Sequence, residues 1–65
     1  MRVLNYIKLC RVLAGLTQRE VAEIVNISVN ALSDIENNKY QPRVSTALRL
    51  ARVFNCSVEY LFYME

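Results

Sequence analysis

The chain has no histidine, one glycine, one proline and two cysteines among 65 residues, and each shortage removes a class of explanation. Without histidine, and with only Cys10 and Cys56, a four-ligand structural zinc site is not expected. A single glycine leaves no Gly-rich phosphate loop, and no nucleophile stands beside a base, so the chain does not read as an enzyme. One glycine and one proline also imply mostly helix with short loops. No apolar run reaches the ~18–20 residues of a membrane span, and nothing resembles a signal peptide, which makes a cytoplasmic protein the expectation. Excess charge is scarce too. A net charge of +2 permits nucleic-acid binding without announcing it, so any such affinity must come from where the charges sit. What is plentiful is apolar side chain, 54% of residues. That fits one folded domain over residues 1–65, near the lower size limit for a core without metal or disulfide support.

The densest information lies between Thr17 and Glu36. Val21 and Val25 are four apart and share a helical face, while Leu32 and Ile35 are three apart on another. Ala22 presents only a methyl group, so a second helix crosses close to its backbone, and Ile27 plugs the corner. Thr17 followed by Glu20 forms a capping box that opens the first of these helices, and Ser28 caps the second. Asn26 falls where the chain leaves the first helix with positive φ, which Asn tolerates better than most residues. Together these features describe a helix-turn-helix, whose second helix keeps one face free for a DNA major groove.

The remaining elements follow from the same cues. A first helix is expected over Leu4 to Ala14, ending at Gly15. The helix-turn-helix occupies Gln18–Val25 and Val29–Glu36. Asn37 to Pro42 is a loop, since Pro42 cannot continue a helix through itself. A fourth helix runs from Val44 or Ser45 to Phe54, with Ala47, Leu48, Ala51 and Phe54 on one side. A short fifth helix, Val58 to about Phe62, is capped by Ser57. The predicted core gathers Ile7, Cys10, Leu16, Val21, Ala22, Val25, Ile27, Leu32, Ile35, Val44, Leu48, Ala51, Phe54, Cys56, Val58 and Leu61. Both cysteines are expected there as small hydrophobes, not as a disulfide.

Laid end to end, Ile7, Arg11, Gly15-Leu16-Thr17-Gln18, Val21-Ala22, Ile35-Glu36-Asn37, Pro42, Leu50-Ala51, Val58 and Leu61 resemble the Cro/repressor-type (XRE-family) helix-turn-helix domain. The likeness runs without a gap from Ile7 to Phe62, and the stretch IENNKYQP (Ile35 to Pro42) is most similar to the small stand-alone dimeric regulators. Asn26, Asn38 and Asn55 stand where the family has glycine, all at helix ends where positive φ is expected. The resemblance implies an all-α fold, a compact five-helix bundle of the lambda-repressor-like type. It implies a sequence-specific double-stranded DNA-binding transcriptional regulator with no cofactor, metal or small-molecule ligand. It also implies a structural ion pair between Arg11 and Glu36.

On the third helix, the resemblance places Val29, Asn30 and Asp34 where base edges are read, with Ser33 beside them. The chemistry suits those roles. Asn bonds bidentately to adenine, Val packs on a thymine methyl, and Asp accepts from cytosine while repelling phosphates. Gln18, Arg19, Ser28, Asn37, Lys39, Tyr40, Gln41 and Arg43 are candidates for phosphate contacts, which fix register without reading sequence. Tyr40 packing against its own loop is the equal alternative. Leu9, Val12 and Leu13 make the first helix apolar nearly all round, and Tyr60, Phe62, Tyr63 and Met64 form an aromatic tail. These seven residues are expected to form the interface of a homodimer, unless the helix and the tail cover each other within one chain. The rival functional readings are a protein-interaction module on the same fold and a transcriptional activator.

Overall fold

The computed structural model describes residues 1–65 and measures 30 × 22 × 20 Å along its principal axes. Five helices account for most of it: α1 (Ile7–Leu13), α2 (Gln18–Val25), α3 (Val29–Glu36), α4 (Val44–Val53) and α5 (Val58–Leu61). Two three-residue strands, β1 (Val3–Asn5) and β2 (Phe62–Met64), join the chain ends as an antiparallel ribbon. The register pairs Val3 with Met64, Leu4 with Tyr63 and Asn5 with Phe62.

Local chemistry sets the helix ends. The Thr17 hydroxyl accepts from the Glu20 N–H at 3.0 Å, and the Thr17 N–H donates to the Glu20 carboxylate at 2.8 Å, completing the capping box of α2. Ser28 and Ser57 cap α3 and α5 in the same way, accepting from Ala31 and Tyr60 at 3.0 Å. The first four helices end alike. Gly15, Asn26, Asn38 and Asn55 all take positive φ, between 53° and 72°. At each end the next N–H reaches back to a carbonyl of the last turn, as Ile27 does to Ala22 at 3.0 Å and Cys56 to Ala51 at 3.0 Å. This double closure satisfies carbonyls that a helix end otherwise leaves open. Asparagine serves at three of the four because its side chain tolerates the left-handed region.

The capping box has a measurable pH signature. The Thr17 backbone N–H, then its hydroxyl, hold the Glu20 carboxyl below its ordinary pKa. A lowered pKa in the folded state means the box stabilises α2 above the unfolded carboxylate range and stops doing so as pH falls through the folded value. Following Glu20 by NMR titration, Thr17→Ala is expected to move its midpoint upward; an unchanged midpoint would show that Thr17 does not hold the carboxylate.

Nine side chains form the buried core: Ile7, Val21, Ala22, Val25, Leu32, Ile35, Leu50, Ala51 and Leu61. Ala22 and Val25 on α2 meet Leu32 and Ile35 on α3, and α4 closes over α2 with Leu50 and Ala51. Cys10, Leu16, Ile27, Phe54, Cys56 and Val58 are half-buried around this nucleus, as is Val29. Burial and the neighbouring Cys10 push the Cys56 thiol pKa up, consistent with two protonated, unbonded cysteines acting as small hydrophobes.

Three expectations need correction. The first helix begins at Ile7 and not Leu4, because Val3–Asn5 is drawn into the ribbon. The Asn5 carboxamide oxygen accepts from the Ile7 N–H at 3.0 Å, opening the helix from outside it. Its amide nitrogen donates to the Ile35 carbonyl at 2.9 Å and to Asn38 at 3.1 Å, so one side chain ties ribbon, α1 and the end of α3 together. The chain end is a strand and not a free tail, flanked by the Tyr6 N–H to Leu61 and the Glu65 N–H to Arg2, both at 2.9 Å. Finally, Val44 and Leu48 lie outside the core, 77% and 57% exposed. Helix α4 is turned so that Thr46, Leu50 and Ala51 face inward instead.

Candidate nucleic-acid interface

Glu36, the last residue of α3, organises the site although it never faces a ligand. It is 8% exposed. Its carboxylate accepts from Arg11 Nε at 2.8 Å and from Gln18 Nε2 at 3.0 Å. Arg11 Nη1 also donates to the Leu16 carbonyl at 3.0 Å. Three helices are therefore locked through one carboxylate: α1 by Arg11, α2 by Gln18 and α3 by Glu36 itself. That bracket, with the packing of Ala22 and Val25 under Leu32 and Ile35, fixes how α3 crosses α2.

The outer surface of α3 is then what remains. Asn30 is exposed and makes no side-chain hydrogen bond within the chain, which leaves its amide donor and acceptor free. Val29, Ser33 and Asp34 are half-buried. Val29 packs partly against the core, so only part of its side chain is presented outward. Asp34 lies 3.9 Å from Lys39 Nζ in an exposed pair of small energetic weight.

Several phosphate-contact candidates have work inside the chain. Gln18 donates to Glu36, and Asn37 Nδ2 donates to the Ser33 carbonyl at 2.9 Å. Gln41 Nε2 donates to the Val3 carbonyl at 3.0 Å, and the Tyr40 hydroxyl donates to the Ala31 carbonyl at 3.4 Å. Ser28 is committed to its cap. Arg19 and Arg43 form no ion pair within the chain and are exposed, as Lys39 is beside them.

The structure adds Arg49. With Arg43, Ser45, Asn26 and Tyr40 it lines a cleft of ≈ 640 Å³ between the turn of the helix-turn-helix and the start of α4. No side chain caps that start, so the first N–H groups of α4 open toward solvent beside two guanidinium groups. The sequence signal for Arg49 was its place one turn and a half into a helix that begins near Arg43, visible only once the helical phase of α4 was known.

A helix set across a buried partner, with a free amide on its outer face and cations on both sides, defines a helix-turn-helix DNA-binding domain. Comparison with known proteins agrees. Residues 7–61 match the family model described as Helix-turn-helix. The HTH-type transcriptional regulator ImmR of Bacillus subtilis is 42% identical over 55 residues, covering 85% of this chain but 43% of ImmR. An uncharacterised HTH-type transcriptional regulator of Methanocaldococcus jannaschii, MJ0272, is 33% identical over 94% of this chain and 92% of its own length. A crystal structure of a candidate DNA-binding protein from Bacteroides fragilis superposes with a TM-score of 0.84 at 30% identity, over 94% of this chain and 98% of that one. The chain belongs to the XRE-type helix-turn-helix family of DNA-binding transcriptional regulators, not to an enzyme family. No helix is long and apolar enough to cross a membrane.

Proposed function

We propose that the protein is a sequence-specific repressor that binds a palindromic operator as a homodimer, with α3 in the major groove. The observation that carries this reading is the division of labour on α3. Glu36 is turned inward and neutralised by Arg11 and Gln18, while Asn30 is left free outside. Asn30 is assigned to adenine N6 and N7, and the outward part of Val29 to a thymine methyl. Asp34 and Ser33 border that contact, the carboxylate disfavouring sequences that offer it no donor. Arg19, Lys39, Arg43 and Arg49, with the open start of α4, are assigned to phosphates. A dimer sets two such helices about 34 Å apart on one face of the duplex, and occupancy near a promoter excludes polymerase.

Selection of binding sites from random duplex DNA tests the reading, with recovery of a palindrome as the expected result. On that site, Asn30→Ala is expected to lower affinity by about 5- to 150-fold, the equivalent of ~1–3 kcal/mol, while leaving binding to random duplex nearly unchanged. Arg43→Ala is expected to weaken both alike and to flatten the salt dependence. Equal losses on specific and random DNA for Asn30→Ala would remove it from the base-reading role. A folded protein that enriches no motif would favour an interaction module.

A further inference from the structure

The proposed homodimer needs a surface, and the structure presents two apolar ones. One is on α1, where Leu9, Val12 and Leu13 are exposed near Tyr60. The other comprises Val44 and Leu48 of α4, Val58 of α5 and Phe62 of β2, around a groove of ≈ 320 Å³ that Val3 and Pro42 complete. We propose that the second face is where a second copy of this chain docks, across a two-fold axis; this rests on the homodimer reading and gives it a location.

Charge separates the two candidates. A two-fold interface brings the same patch of both copies together, so the patch must complement itself. Helix α1 carries Lys8 and Arg11 and no acidic residue. Arg11 is spent on Glu36, and pairing this face with itself would oppose one Lys8 to another. The α4–α5 face is bordered by one charge of each sign. Arg52 and Glu59 line the groove next to Leu48 and Val58, and neither is ion-paired within its own chain. A two-fold axis between them sets each Arg52 against the partner's Glu59, giving two equivalent cross-pairs around an apolar centre. Such an arrangement, apolar within and charged at the rim, is the usual anatomy of a protein interface.

Position favours the same face. Gln41 and Pro42 line this groove on one side and the Arg43–Arg49 cleft on the other. Docking here therefore joins two copies at the loop that leaves the reading helix, so their phosphate-binding clefts become neighbours. It also accounts for Val44 and Leu48, two large aliphatic side chains that the monomer leaves in water. Of the aromatic tail, only Phe62 lines this groove; Tyr63 stacks on Tyr6 with ring centroids 4.6 Å apart.

Sedimentation velocity on the full chain, over a wide concentration range, tests the assignment. The wild type is expected to dimerise, Leu48→Glu to remain monomeric with an unchanged helical circular-dichroism spectrum, and Leu13→Glu to dimerise like the wild type. Arg52→Glu and Glu59→Arg are each expected to weaken the dimer by about tenfold, since each removes two symmetric pairs. The double variant is expected to recover it, which a mere folding defect would not produce. If Leu13→Glu abolishes the dimer and Leu48→Glu does not, the α4–α5 face is the wrong one and the homodimer stands. A wild type that is monomeric at every concentration, with or without its selected DNA, overturns the homodimer itself.

Discussion

Replacing Arg11 with alanine is expected to lower the unfolding free energy by about 3–5 kcal/mol, the largest effect of any single surface-reaching residue in this domain. The Glu36 side chain is 1% exposed, and Arg11 gives it a 2.8 Å charge-assisted hydrogen bond. Without the guanidinium, the carboxylate keeps only the neutral amide of Gln18 at 3.0 Å. The Leu16 carbonyl loses its Arg11 donor as well. A domain of this size sits toward the low end of the usual ~5–15 kcal/mol, so the variant should be largely unfolded in water near room temperature. Urea unfolding followed by circular dichroism measures this directly. Because the loss comes from stranding a charge, and not from the value of the pair, the double variant Arg11→Met with Glu36→Leu is expected to recover most of the stability. A loss below ~1 kcal/mol for Arg11→Ala would mean that water reaches Glu36. The same substitution bears on function, because Arg11 and Gln18 hold three helices to one carboxylate and so set the angle at which α3 is offered.

The parts of this molecule that were legible in the sequence are those written in local chemistry. Helices α2 and α3 begin and end where Thr17, Ser28 and Asn26 place them, since a capping hydroxyl and a left-handed asparagine act within four residues of themselves. The ribbon was not legible for the opposite reason. Val3–Asn5 pairs with residues about sixty positions away, and a three-residue strand carries too little alternation to be told from the first turn of a helix. Asn5 could not be singled out either, because its three partners are assembled only by the fold. At the DNA-facing surface, residue type and spacing placed Asn30, Arg19, Lys39 and Arg43 outside. They could not show that Gln18, Asn37, Tyr40 and Gln41 are hydrogen-bonded within the chain, since each of those side chains is equally suited to a phosphate or a neighbouring carbonyl.

The misreading of α4 leads to the second large effect. The helix carries two apolar stripes, Val44–Ala47–Leu48 and Leu50–Ala51, and periodicity alone does not say which is inside. The ends of the helix decide. Pro42 and Arg43 bring the chain in from the loop, Asn55 turns it out toward α5, and between them Thr46, Leu50 and Ala51 meet α2. Leu50 is fully buried within the nine-residue core. Leu50→Ala is therefore expected to cost about 2–5 kcal/mol, from lost transfer energy plus the cavity that a close-packed interior fails to fill. Leu48→Ala, two residues away on the same helix, is expected to change the stability of the monomer by less than ~0.5 kcal/mol. Helix propensity does not separate them, because both exchange leucine for alanine within one helix. Urea denaturation of both variants in dilute solution, below the concentration at which the chain associates, isolates the burial difference. Equal losses would return Leu48 to the core and remove the apolar face on which the second copy is proposed to dock; a large loss at Leu50 with none at Leu48 leaves that face free to serve association instead of folding.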